Sequence, residues 1–233
     1  MKMKRDRKRV VPGKKSVFIV EDHPVFCDGL TQLINKERDL EVTGAAESAG
    51  DAMEALKAGI PDVIIVDITL KESSGIELIY EILRTYGDIP ILVLSMHDES
   101  LFVDRVLKAG ARGYIAKRET TSKIIEAIRQ VLRGKIYVSE LMVDHVLYRY
   151  ARGGRSDSVS PVDTLSDREF EVFNLISRGL TNRKIASILC VSSKTVATYR
   201  ERIKEKLNID SSSELIKYSI WYFQFKNFDT EEK

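Results

Sequence analysis

The sequence predicts an α/β domain, doubly wound about a parallel sheet, followed by a smaller all-helical domain. Three observations carry this expectation. Residues 16 to 133 alternate short β-branched runs with amphipathic stretches, the pattern of repeated βα units. Four of the apolar runs end in a charged residue or a hydroxyl: Glu21-Asp22, Asp67, Ser95 and Lys117. After a Gly/Ser/Arg-rich stretch at 151 to 158, the remaining apolar positions follow the helical period.

The elements can be justified in chain order. Strands are expected near 16 to 21, 41 to 46, 62 to 67, 91 to 95 and 113 to 116, and helices near 25 to 36, 48 to 58, 74 to 86, 99 to 109 and 120 to 133. Pro24 suits the first turn of a helix, where its missing N–H costs nothing. Gly59-Ile60-Pro61 and Gly87-Asp88-Ile89-Pro90 each close a helix before the next strand. Residues 136 to 150 carry a further short helical pattern, and Ala151 to Ser158 read as a flexible linker. Ser166, Thr181 and Ser192 are N-cap candidates and Gly179 a C-cap, so the second domain is expected to be a small helical bundle. The expected organisation is a basic disordered tail at 1 to 15, an α/β domain at 16 to 135, a linker at 136 to 163, a helical domain at 164 to 226 and a tail at 227 to 233.

The chain has 233 residues, 43% hydrophobic and 31% charged, a composition that supports a buried core. No uncharged apolar run approaches the roughly 18 residues of a membrane span. No apolar segment follows the basic N-terminus, so a cytoplasmic location is expected. Cys27 and Cys190 are isolated, which argues against a disulfide framework or thiolate zinc site and for packing roles. The net charge of +2 conceals an asymmetry. Residues 1 to 15 carry eight Lys/Arg against one Asp; residues 16 to 135 carry 14 basic against 20 acidic; residues 178 to 206 carry eight Lys/Arg against two Glu. The basic tail fits either a nucleic-acid-binding arm or a solvated one.

In an open parallel sheet all strands end along one edge, and ligands bind where strand order reverses. Glu21, Asp22 and Asp67 would therefore converge with Ser95 and Lys117. One Asp after a buried strand is commonly a helix cap, but three carboxylates supply the hard oxygen ligands that Mg²⁺ prefers. A dinucleotide-binding fold is excluded, because its glycine-rich turn is replaced by Glu21-Asp22-His23-Pro24. An aspartyl phosphohydrolase carries a general acid two residues after its nucleophile, where this chain has Thr69. Phosphoryl transfer onto Asp67 is compatible with these residues; rapid turnover is not.

With Glu21-Asp22, Asp67, Ser95, Tyr114 and Lys117 in place, residues 16 to 133 resemble a response-regulator receiver domain, a flavodoxin-like (CheY-like) fold. The resemblance implies that Asp67 accepts a phosphoryl group from a sensor histidine kinase. It also implies that Asp22, Asp67 and the Thr69 backbone carbonyl hold Mg²⁺, with Glu21 assisting through water. Ser95 would move toward the phosphate and Tyr114 would turn inward. Lys71 and Arg118 depart from the prolines common in that family, and Met96-His97-Asp98 suits its NarL/FixJ subgroup.

In the helical domain, two helices around a short turn, the second amphipathic and basic, describe a helix-turn-helix. On a helical wheel Val196, Ile203 and Leu207 share one face, with Lys194, Ala197, Thr198 and Glu201 largely opposite. Residues 165 to 225 resemble a LuxR/NarL-type DNA-binding domain through Leu165 to Glu169, Gly179 to Ala186 and Lys194-Thr195-Val196. That resemblance implies a recognition helix over Lys194 to Arg202, with Ala197, Thr198 and Glu201 facing bases. Arg183, Lys184, Lys194, Arg200, Arg202 and Lys204 would reach phosphates, and Thr195 belongs to the DNA-binding set. Ala197-Thr198-Tyr199 departs from the common Lys-Thr-His run. The combined expectation is a phosphorylation-dependent transcriptional regulator that dimerises on double-stranded DNA, its last helix a candidate interface. One rival is a phosphate-indifferent dimerisation module; the other is a phosphohydrolase.

Overall fold

In the computed structural model, residues 13–70, 73–96, 99–119, 121–140, 142–143 and 160–225 are described. Residues 1 to 12 of the tail expected at 1 to 15, the tail at 227 to 233, the 151 to 158 linker, Lys71 and His97 lie outside them, and Lys15 corrects the tail's bound, since pairing with the next strand draws it into the sheet. The chain divides into two compact units, one of residues 1–70 and 75–142, the other of residues 71–74 and 143–233.

The first unit alternates strand and helix: β1 (Lys15–Val20), α1 (Pro24–Asn35), β2 (Leu40–Ala46), α2 (Ala49–Leu56) and β3 (Val63–Val66). Two short strands follow in the chain, β4 (Thr69–Leu70) and β5 (Ser73–Ser74), the latter in the segment grouped with the second unit. Then come α3 (Gly75–Tyr86), β6 (Ile91–Ser95), α4 (Glu99–Lys108), β7 (Gly113–Ala116) and α5 (Thr121–Leu132). Five strands pair in parallel in the order β2-β1-β3-β6-β7. Strand order therefore reverses between β1 and β3. Such a sheet is covered on both faces, which is why Val63–Val66 and Ile91–Ser95 are buried at every position.

Alternation along the strands sorts the core. Val17, Ile19, Ile65, Leu92, Leu94 and Ile115 join Leu30 and Ile34 of α1 and Ile124, Ile125 and Ile128 of α5 in one cluster. Phe18, Val20, Ile64, Val66 and Tyr114 are equally buried and project to the opposite face. Cys27 packs against the first cluster, in keeping with the packing role expected of it. Tyr137, which the sequence places in the linker, forms a parallel bridge with Gly113 at the sheet edge.

The second unit holds a 3₁₀ turn (Pro161–Thr164), α6 (Asp167–Ser177), α7 (Asn182–Ile188), α8 (Ser193–Leu207) and α9 (Ser212–Phe225). Its caps are the ones the sequence marks. Ser166 accepts from the Glu169 N–H while Glu169 accepts from the Ser166 N–H, closing a capping box. Thr181 and Ser192 cap α7 and α8. Gly179, with φ +73°, stands one residue past Arg178, the C-cap of α6, where the left-handed region favours glycine. Lys206 Nζ lies 2.6 Å from Glu169 Oε2, which ties the end of α8 to the start of α6. Phe173 packs against Tyr218, Tyr222 and Phe223 of α9, which are half-buried by that contact. Cys190 corrects the packing role expected of it: it is exposed, in the turn before α8, with φ +52°.

Candidate functional site

The acidic edge follows from strand register. Val20 pairs with Val66, so the next residues, Glu21 and Asp67, leave adjacent strands at one level. Ladder hydrogen bonds continue past the strand ends: the Asp67 N–H donates to Val20 O at 3.0 Å, Glu21 N–H to Ala46 O at 3.0 Å, and Lys117 N–H to Ser95 O at 2.8 Å. Backbone pairing thus delivers carboxylates from β1 and β3 and an ammonium from β7 to the point where strand order reverses.

Lys117 Nζ lies 2.7 Å from Asp67 Oδ2 and 2.5 Å from Glu21 Oε2, and all three side chains are buried. The ammonium also sits 4.5 Å from the Phe26 ring centroid, within cation–π range. Burial pushes the Asp67 carboxyl up to about 6; Lys117 opposes that rise and Glu21 adds to it. Burial disfavours the charged form of Lys117, but Asp67 and then Glu21 outweigh it and hold the ammonium above its ordinary value. The Thr69 N–H donates to Asp67 Oδ1 at 3.3 Å. Ser95 and Tyr114 are fully buried, so the ring expected to turn inward already lies inside.

Carboxylate and imidazole atoms of Glu21, Asp22, His23 and Asp67 lie within 4.8 Å of one another. His23 Nδ1 stands 2.9 Å from Glu21 Oε1 and 2.8 Å from Asp22 Oδ1. The second contact lacks hydrogen-bond alignment, because buried Asp22 Oδ1 has no hydrogen-bond partner among the described residues. Three clustered carboxylates with an orphaned oxygen fit a hard divalent cation. The sequence reading missed two residues here. His23 enters the cluster through its ring, although its side chain is 67% exposed. Gly75 packs against the acceptor segment so closely that a Cβ there would stand 1.9 Å from the Asp67 carbonyl oxygen. Only the bare presence of a glycine at the start of α3 signals this in the sequence.

In the second unit, Lys194, Ala197, Thr198, Glu201 and Arg202 are exposed on α8, whereas Val196 and Ile203 are buried. Arg183 and Lys184 are exposed on α7. Thr195 and Thr198 have other engagements, Thr195 with the Ser192 cap and Thr198 Oγ1 with Lys194 O at 3.1 Å. Two residues depart from the free cationic face that the sequence implies. Lys204 is only 16% exposed and pairs with Glu201 at 2.8 Å. Arg200 is half-buried, away from the Lys194-Thr198-Glu201 stripe, because its wheel position lies between that stripe and the core.

Comparison with known proteins is consistent across sequence and structure. Residues 17–129 match the family described as "Response regulator receiver domain", and residues 163–219 match "Bacterial regulatory proteins, luxR family". The chain is 34% identical over 209 residues to "Oxygen regulatory protein NreC" of Staphylococcus epidermidis, covering 88% of this chain and 96% of that one. It is 30% identical over 225 residues to "Transcriptional regulatory protein DegU" of Brevibacillus brevis, covering 91% and 95%. Among solved structures, RcsB from Salmonella enterica serovar Typhimurium, bound to promoter rprA in the presence of phosphomimetic BeF3-, aligns with a TM-score of 0.57 at 25% identity, covering 89% of this chain and 98% of that one. Among the described residues no helix is long and apolar enough to cross a membrane. The chain belongs to the response-regulator family that joins a receiver domain to a luxR-type helix-turn-helix domain.

Proposed function

We propose that this protein is a phosphorylation-dependent transcription regulator in which Asp67 accepts a phosphoryl group from a histidine kinase and the helical unit binds DNA. The observation that carries this reading is the buried triad of Asp67, Lys117 and Glu21 beside Asp22, at the crevice where strand order reverses. An Asp67 oxygen attacks the phosphorus of a phosphohistidine; the P–O bond forms as the P–N bond breaks, and the imidazole leaves with the electron pair. Glu21, Asp22 and Asp67, with the Thr69 backbone, would hold Mg²⁺, which when bound neutralises charge on the phosphoryl oxygens. Lys117 keeps its ammonium through burial and is already seated on the acceptor oxygen, so it needs little movement to stabilise the product. Phosphorylation adds about −1.5 to −2 charge, which favours a hydrogen bond from the Ser95 hydroxyl and repacking around Tyr114.

Ala197, Thr198 and Glu201 of α8 face the base edges, while Arg183 and Lys184 of α7 and Lys194 and Arg202 of α8 reach phosphates. Thr195 and Lys204 act through the Ser192 cap and Glu201. A single recognition helix reads a short half-site, so a two-fold dimer on an inverted repeat follows. Ile216 and Trp221, 37% and 51% exposed on α9, are the apolar surface offered for that contact.

The test combines labelling and binding. The full chain with a small-molecule phosphodonor and Mg²⁺ is expected to take up one acid-labile phosphoryl group, and Asp67→Asn to take up none. Affinity for a duplex selected from a random pool is expected to rise with donor in the wild type only. Labelling that survived Asp67→Asn would remove Asp67 as acceptor; equal affinities with and without donor would reject the switch.

A further inference from the structure

Tyr137 sits on the outer edge of β7 through a single bridge. Its N–H donates to Arg112 O at 2.9 Å, and its carbonyl accepts from the Tyr114 N–H at 2.8 Å. Two residues on, the Ser139 N–H donates to Glu99 Oε1 at 2.8 Å. That bond is charge-assisted, and Glu99 stands in the first turn of α4, where a carboxylate is favoured. Residues 137–139 therefore strap the chain that leaves α5 to both β7 and α4.

Gly113 makes the seat for this strap. A Cβ there would stand 2.9 Å from Tyr137 O and 3.1 Å from Tyr137 Cβ, so the approach is this close only because β7 carries a glycine. Tyr137 also packs against the main core cluster. The attachment is nonetheless slight. β6 and β7 pair over four residues, whereas among the described residues the strap is held by one bridge and one side-chain bond. Such an edge opens at lower free energy than the ladder beside it.

Both anchors adjoin residues that respond to phosphate in the reading above. Tyr114 carries one anchor on its own backbone, and Glu99 follows Ser95 by four residues. In the sheet order β2-β1-β3-β6-β7, Asp67 follows β3, Ser95 ends β6 and the strap lies beyond β7. Motion of Ser95 toward a phosphoryl group on Asp67 is thus motion away from the strap, and it draws the start of α4 the same way.

We propose that residues 137–139 form a latch, seated on Glu99 while Asp67 is unmodified and released from it by phosphorylation. This rests on the phospho-acceptor reading above. It names the place in the first unit where the signal reaches the chain leading on to the helical unit.

The experiment follows amide hydrogen exchange by NMR in the full chain with Mg²⁺, with and without a small-molecule phosphodonor, and measures phosphoryl uptake on the same samples. Loss of the bond to Glu99 is expected to speed exchange of the Ser139 amide by about tenfold. The Ile65 amide, in the central strand β3, should stay protected throughout and reports that the fold is intact. Asp67→Asn should keep Ser139 protected in the presence of donor. Glu99→Ala should expose Ser139 without donor, and donor should then add nothing. Glu99→Gln keeps an acceptor oxygen and should restore part of the protection. The wild-type arm needs no substitution, so it decides the matter even where a variant folds poorly. Labelled wild type whose Ser139 stays protected would overturn the latch and leave the phospho-acceptor reading standing. Protection of Ser139 that survived Glu99→Ala would overturn it too. Failure of the wild type to take up phosphate would count against the phospho-acceptor reading itself, and the latch would fall with it.

Discussion

Lys117 Nζ lies 2.7 Å from Asp67 Oδ2, and both side chains are 4% exposed although 50 residues separate them in sequence. A second buried carboxylate, Glu21, shares the same ammonium. One cation thus holds together two anions that would otherwise repel each other in a poorly solvated pocket. This arrangement makes the pocket's stability and its reactivity two readings of the same charges.

Substituting Lys117 by Met is therefore expected to leave two buried carboxylates unbalanced, at a cost of about 3–5 kcal/mol. In the Asp67→Asn background the same change should cost less, with a coupling of about 0.5–3 kcal/mol. Urea unfolding of the four proteins in a double-mutant cycle measures this. Additive effects would show that the contact carries no energy of its own.

Asp67 gives a pH dependence whose sign is fixed. Its folded-state pKa of about 6 stands above the ordinary value of 3.8, so the native state binds the proton more tightly than the unfolded chain. Stability from this group is present at low pH and lost as pH rises from about 4 to about 6, a change on the order of 2–3 kcal/mol. Asp67→Asn is expected to be more stable than wild type at pH 7 in metal-free buffer, with the gap closing toward pH 4. Denaturation midpoints at the two pH values test it, and a gap independent of pH would contradict it.

Cation binding should offset the same strain. At a Mg²⁺ concentration 100-fold above its dissociation constant, stabilisation of about 2.7 kcal/mol is expected. Asp22→Asn, which removes charge from the carboxylate with an orphaned oxygen, should lose most of that gain. Thermal unfolding with and without Mg²⁺ is the measurement. Equal shifts in both proteins would remove Asp22 from the ligand set.

Gly75→Ala is expected to damage the acceptor segment from a distance in sequence. The added methyl would stand 1.9 Å from the Asp67 carbonyl oxygen, and the obstructing atom is backbone, so either α3 or the loop must shift. A cost of about 1–3 kcal/mol follows from overpacking alone. Labelling of Asp67 by phosphodonor should slow as well. Normal stability and labelling together would mean that the loop yields freely.

Much of this was legible in one dimension. Apolar runs of three or four residues place four of the five main strands, and the residues after them, Glu21-Asp22, Asp67, Ser95 and Lys117, are readable as one edge because parallel strands end together. Cap residues Ser166, Thr181 and Ser192 mark helix starts through local hydrogen bonds that require no knowledge of the rest of the chain. The exposed stripe of Lys194, Ala197, Thr198 and Glu201 follows from the 3.6-residue period.

What the period could not decide is how far neighbouring segments crowd a given position. Arg200 and Lys204 lie near the border of the α8 wheel, and whether such a side chain meets water depends on the α6–α7 turn and α9, or on an acid one turn away. Gly75 and the pairing of Lys117 with both Glu21 and Asp67 likewise depend on approach in three dimensions. Sequence by itself determined the elements, the acidic edge and the family pattern, because those rest on local periodicity and on the polarity of strand ends. Tertiary structure alone decided which charges are desolvated, which are paired and which are left awaiting a partner, because desolvation is set by the atoms of distant segments that close over a side chain.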